Sequence, residues 1–269
     1  ALVNIFCESE EERLPSTSGS GVLIDSRGII LTNAHVAQYF LLDARSDVSL
    51  SCVIRAGAPA KPRFDAELLY IPKAWLDKNG DNIALEHTTG TGEDDYALLF
   101  ITKSLDSTPL PPQFPYMPFD TGEAIAFTVD TVLVAAFPAE FISGQAAKSS
   151  LYPATVATLV GDLRTFKDYF VDVISLGGIF VAQGGSSGGG AVNEWGRLIG
   201  IISTTSNGST TADRDLRAVT ISHIDRSIHA YTGMGLIDFV AKDPKIQVEQ
   251  FKIESSPLAQ KLVDSLRAR

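Results

Sequence analysis

The chain has 269 residues, 45% apolar and 20% charged, enough to bury one large core or two smaller ones. Its 32 acidic residues outnumber 22 basic ones, and the net charge of −10 is spread along the chain, which excludes a phosphate-binding surface and argues against nucleic acid as a partner. No apolar run reaches the roughly 18 residues that a membrane-spanning helix needs. In chain order, short apolar or alternating runs bounded by Gly, Pro and Asp predict strands over residues 2–7, 21–25 and 29–32. A helical turn follows at 34–41, then strands over 48–55 and 64–71, a helix over 73–85 and a strand over 96–102.

Residues 104–122 carry prolines at 109, 111, 112, 115 and 118 and read as a semi-rigid connector, because proline gives no N–H to a strand ladder and fixes its own backbone. Beyond it, strands are expected over 124–129, 132–137, 154–161, 169–175, 178–182, 190–195, 198–204 and 216–222. A helix over 222–231 and a second over 257–267, capped at Ser255 or Ser256, complete the chain. So many short strands predict an all-β chain, and the connector divides them into groups over 1–103 and 123–232, leaving a tail from 233 to 269. The two cysteines, Cys7 and Cys52, are read as buried free thiols, although the sequence leaves their pairing open.

The chemistry concentrates in three segments. Gln183-Gly184-Gly185-Ser186-Ser187-Gly188-Gly189-Gly190 holds a serine in a turn where neighbouring N–H groups can converge on one point, as an oxyanion requires. A flexible loop is the plain alternative, and a phosphate cradle is disfavoured because Ala191 and Val192 stand where a lysine is wanted. Ser18-Gly19-Ser20-Gly21-Val22-Leu23-Ile24-Asp25 and then Gly28-Ile29-Ile30-Leu31-Thr32-Asn33-Ala34-His35-Val36 form a hairpin running into a helical turn that bears His35. Asp94-Asp95-Tyr96-Ala97-Leu98-Leu99-Phe100 places an acid at the mouth of an apolar strand. Each alone is ordinary. Together they supply an acid, a base and a nucleophile, and a serine hydroxyl attacks only when an oriented imidazole takes its proton.

These three segments resemble the trypsin-like, chymotrypsin-fold serine peptidases, and most of all the bacterial HtrA/Deg branch, in Thr32-Asn33-Ala34-His35-Val36, Asp95-Tyr96-Ala97-Leu98-Leu99 and Gly185-Ser186-Ser187-Gly188-Gly189. The resemblance covers roughly residues 2 to 232. His35 and Asp95 are 60 positions apart and Asp95 and Ser187 are 92 apart; the first spacing is long for the family and points to an insertion between residues 72 and 92. The resemblance implies two six-stranded antiparallel β-barrels, a Ser187–His35–Asp95 triad and an oxyanion hole built from the N–H groups of Gly185 and Ser187. Ser186 is the frame-shifted alternative nucleophile.

It also places the primary pocket between Val181 and Ala182 on one side and Ser203 and Thr205 on the other. No acid lies there, so a small or medium apolar P1 residue is expected rather than Lys or Arg. Ser186 replaces the Asp of digestive proteases and no Ile-Val-Gly-Gly start exists, so activation by N-terminal cleavage is not expected. The tail after Tyr231 is too short for a PDZ-like unit.

The expected partners are polypeptide substrates, with neither cofactor nor metal; His87 and the other histidines show no metal-ligand spacing. A chain starting at Ala1 without a signal pattern leads us to expect a preceding targeting segment or membrane tether, and a bacterial extracytoplasmic location. Two rivals remain: a catalytically silent fold used as a binding module, and an α/β-hydrolase esterase, since Gly185-x-Ser187-x-Gly189 fits a nucleophile elbow that a helix should follow.

Overall fold

The computed structural model describes residues 1–83, 91–123, 126–167 and 169–268, with Thr204, Thr205 and Ala268 described by their backbone alone. The N-terminal half contains β1 (Leu2–Ser9), β2 (Thr17–Asp25), β3 (Ile29–Thr32), α1 (Ala34–Ala37), α2 (Tyr39–Asp43), β4 (Leu50–Ala56), β5 (Lys61–Tyr70), α3 (Lys73–Asn79) and β6 (Ala97–Ser104). Its six strands close into an antiparallel barrel in the order β1-β2-β3-β6-β5-β4. The C-terminal half contains β7 (Thr131–Ala136), α4 (Gly144–Ser149), β8 (Ala154–Leu159), β9 (Leu163–Arg164), β10 (Val173–Gly177), β11 (Gly190–Val192), β12 (Leu198–Thr205) and β13 (Leu216–Thr220). These seven strands form a curled half-barrel in the order β8-β7-β11-β12-β13-β10-β9. The helices α5 (Ile221–Thr232), α6 (Leu236–Ala241) and α7 (Pro244–Ala268) follow. This is the chymotrypsin-like architecture, with one barrel closed and the second opened into a seven-stranded sheet.

The unbroken apolar runs of β3 and β6 follow from burial on both faces. Side chains alternate along a strand. Ile30, Ala97, Leu99 and Ile101 point into the first barrel's core, whereas Ile29, Leu31, Leu98 and Phe100 face a second cluster shared with Leu198, Ile201, Ile224 and Phe239. A third cluster, with Val132, Val134, Ile174 and Ile199, fills the second sheet. The strand ends that carry His35 and Asp95 are therefore gripped from both sides.

The proline-rich stretch runs between the halves and bonds to each. Phe114 N donates to Ser26 O at 2.8 Å, Met117 N to Leu23 O at 2.8 Å and Asp120 N to Leu198 O at 3.1 Å.

Several expectations need correction. Cys7 and Cys52 are a disulfide: β1 and β4 pair with Cys7 opposite Cys52, and their Cα atoms are 4.0 Å apart. Only the register brought them together, which a separation of 45 positions along the chain hid. Residues 178–182 form a turn instead of a strand, and the described part of 124–129 has no strand. The last helix starts at Pro244, not after Ser255 or Ser256, and runs through Pro257. Phe251, Ala259, Leu262 and Val263 continue its contact with the first barrel's core, which outweighs the one backbone hydrogen bond that an internal proline removes. This helix also covers the segment flagged as an insertion: Lys261 Nζ lies 3.4 Å from Asp77 Oδ1 and Ser265 Oγ donates to Asp81 Oδ1 at 2.6 Å. His87 and Leu85 lie outside the described residues.

Candidate active site

β3 ends at Thr32 and α1 begins at Ala34, so His35 sits in the first turn of a helix immediately after a barrel strand. The side chain of Asn33 donates to Asp95 O at 2.8 Å and ties this corner to the start of β6. Asp95 meets His35 twice: Oδ1 accepts the His35 backbone N–H at 3.0 Å, and Oδ2 lies 2.8 Å from His35 Nδ1. A carboxylate accepts only, so the imidazole proton belongs on Nδ1, and Nε2 is the basic nitrogen. Ser203 Oγ donates to Asp95 Oδ2 at 2.8 Å.

Burial most strongly opposes charge on His35, yet the charge of Asp95 and their hydrogen bond outweigh it and raise the His35 pKa above its ordinary value. Burial likewise pushes Asp95 up, but His35, with the hydrogen bonds from its backbone N–H and from Ser203, leaves Asp95 below the usual carboxylate range. The neighbouring Asp94, held at φ +58°, faces elsewhere and accepts from Ser227 Oγ at 2.6 Å and Tyr231 OH at 3.0 Å on α5.

Ser187 lies between the two halves. Its carbonyl accepts Ser20 N–H at 2.7 Å from β2, and the next amide, Gly188 N–H, donates to Ile202 O at 2.8 Å on β12. Gly188 is at φ +83°, and a Cβ there would lie 2.0 Å from Ser20 O, so only glycine permits this approach. One anchor is thus the hairpin that leads to His35. The other is the residue preceding Ser203, which touches Asp95. Ser187 is half-buried, and neither its Oγ nor His35 Nε2 has a hydrogen-bond partner among the described residues. Ser186 is fully buried, with a hydroxyl that has no partner among the described residues, and cannot meet a substrate there.

Two donors near Ser187 are also uncommitted. Gly184 O accepts Ala139 N–H at 2.8 Å, and in a trans peptide the N–H of Gly185 points the opposite way. Among the described residues, no acceptor takes the N–H of Gly185 or of Ser187.

Val181 and Ala182 are fully buried, packed in the second sheet's cluster. Ser203 is buried with its hydroxyl committed to Asp95, and the Thr205 side chain lies outside the description. Composition gave no sign of the Glu140–Arg214 pair, which braces this region. The guanidinium binds both carboxylate oxygens at 2.7 Å and also donates to Ala182 O at 2.9 Å, while Glu140 Oε2 accepts Gly184 N–H at 2.8 Å. Ser187 is followed by strand β11 rather than a helix, which removes the α/β-hydrolase elbow.

Comparison with known proteins agrees with this architecture. The structure of an HtrA-type protease, AlgW with a tripeptide, superposes with a TM-score of 0.53 at 18% identity, covering 87% of this chain and 61% of that one. The chain thus spans under two thirds of that protein's length, and the likeness concerns the fold. A search of curated proteins finds no sequence match. The profile of the trypsin-like peptidase domain matches residues 19–201, a span that contains His35, Asp95 and Ser187. The chain belongs to the trypsin-like peptidase family.

Proposed function

We propose that the protein is a serine endopeptidase whose Ser187 attacks the scissile carbonyl, with His35 as general base and then general acid, Asp95 as its orienting carboxylate, and an acyl-enzyme on the way to hydrolysis. The observation that carries this reading is the double contact of Asp95 with His35, beside a serine anchored to the neighbours of both residues. The free N–H groups of Gly185 and Ser187 serve the oxyanion, where one donor contributes about 3–4 kcal/mol.

A small or medium apolar P1 residue is favoured. The charges nearby, Arg214 and Glu140, neutralise each other, and the fully buried Val181 and Ala182 place no charge behind the turn. Strong cleavage after Arg or Phe in a peptide library sinks that preference.

The test of the reaction itself is covalent labelling by a fluorophosphonate probe read by mass spectrometry. Label on wild type and on Ser186→Ala, but not on Ser187→Ala, is the expected result. Folded wild type that takes no label favours the silent binding module.

A further inference from the structure

Ser20, in the Ser18–Gly21 run on β2, is fully buried, and a buried hydroxyl needs partners. Both of its partners lie in the other half of the molecule. Its Oγ donates to Gly185 O at 2.8 Å and accepts Phe137 N–H at 2.8 Å. Its backbone N–H holds Ser187 O at 2.7 Å, and its own carbonyl accepts Thr32 Oγ1 at 2.7 Å. One residue of the first barrel therefore grips the nucleophile turn at two successive odd-numbered carbonyls.

The geometry points to Ser20 as a positioning residue for the oxyanion donors, an inference that rests on the peptidase reading above. The N–H of Gly185 belongs to the 184–185 peptide and that of Ser187 to the 186–187 peptide. The plane between them is the 185–186 peptide, whose carbonyl Ser20 Oγ holds. That plane is rigid, so turning it changes ψ of Gly185 and φ of Ser186, and these torsions set how the donor planes on either side are oriented relative to each other. The same hydroxyl fixes Phe137, two residues before Ala139, whose N–H holds Gly184 O. Ser20 thus secures both segments that set the direction of the Gly185 N–H. At φ +89°, Gly185 has no side chain of its own to resist rotation, so the restraint must come from its neighbours.

The experiment compares wild type with Ser20→Cys, which keeps the shape but offers only a weak donor, and with Ser20→Ala. Second-order rates of fluorophosphonate labelling at Ser187, kcat and KM on one cleavable peptide, and melting temperature are measured together. The expected result is labelling slowed at least tenfold in Ser20→Ala and less in Ser20→Cys. kcat should fall in parallel while KM moves less than threefold, at temperatures well below melting. Ser20→Ala or Ser20→Cys that labels at the wild-type rate, or a defect confined to KM or tracking the melting temperature, overturns the inference and leaves the peptidase reading intact. Wild type that takes no label overturns the peptidase reading, and this inference with it.

Discussion

The described residues hold two aspartate–histidine pairs that are nearly identical at the point of contact and differ in the cation beside the acid and in the surroundings of the far nitrogen. In the first, Asp95 Oδ2 lies 2.8 Å from His35 Nδ1; in the second, Asp172 Oδ1 lies 2.9 Å from His223 Nδ1. The other contacts described above for the Asp95 carboxylate come from a hydroxyl and a backbone amide, so its charge acts on the imidazole. Asp172 shares Oδ1 with Arg226 at 2.5 Å, and its Oδ2 accepts Phe166 N–H at 2.6 Å and Thr165 Oγ1 at 3.1 Å. Arg226 is further held over the Phe170 ring at 4.4 Å and by Glu123. The far nitrogen differs most. The His35 side chain is 21% exposed beside the Ser187 turn, whereas His223 Nε2 is buried without a partner and the ring of Phe166 meets its imidazole edge-on at 4.9 Å. An aspartate behind a histidine is a fastening. In the mechanism proposed above, the imidazole can act as a base only because its Nε2 is not sealed.

The largest contrast should come from removing each imidazole. His35→Ala should lower the labelling rate of Ser187 on the order of 10⁶-fold, as loss of a base does when the triad acts as one unit. His223→Ala should leave that rate within a few-fold and instead lower the melting temperature. Labelling that survives His35→Ala and vanishes in His223→Ala would invert the assignment.

Neutralising each acid should separate the pairs again by a smaller margin. Asp95→Asn should cost about 10⁴-fold in kcat, because an amide NH2 facing Nδ1 donates to it and holds the imidazole in the wrong tautomer. Asp172→Asn should spare kcat but cost about 1.5–3 kcal/mol of stability, since Arg226, still held by Glu123, loses the charge of its buried partner; urea unfolding measures this.

The smallest effect is a shift in pH dependence. His35 must be neutral to take the serine proton, and its pKa is raised, so kcat/KM should fall on the acid side at a pH above the ordinary imidazole value of about 6.5. In Asp95→Asn the midpoint of that limb should move to lower pH, because the charge that favoured imidazolium is gone. Stability follows the opposite ends of the scale. The raised pKa of His35 contributes stability that is complete below about pH 6.5 and is lost as pH rises through its folded value. The lowered pKa values of Asp95 and Asp172 contribute stability that is complete above about pH 3.9 and is lost as pH falls through theirs. A kcat/KM limb that stays in place in Asp95→Asn would contradict the electrostatic role given to Asp95.

Much of this was legible before any coordinates. Val22, Ile29–Leu31 and Leu98–Phe100 announce strands because their residue types suit buried pleats, and Gly188 in a glycine-dense run signals a close backbone approach. Local pattern failed where partners were remote. The disulfide needed the β1–β4 register, α7 began early because the barrel surface continued beneath it, and Ser20 looked like one small residue among several. The Glu140–Arg214 pair is 74 positions apart in the chain and leaves no periodic trace.

The sequence alone determined which residue types could carry the chemistry, the order of the three motifs, and the strand-rich halves, because residue type and short-range spacing set these directly. Only the tertiary structure decided which histidine kept an exposed edge and which was sealed, and which buried hydroxyl reached across to the Ser187 turn. Both choices depend on the surroundings of a single nitrogen or oxygen, and those surroundings are supplied by strands and helices distant in the chain.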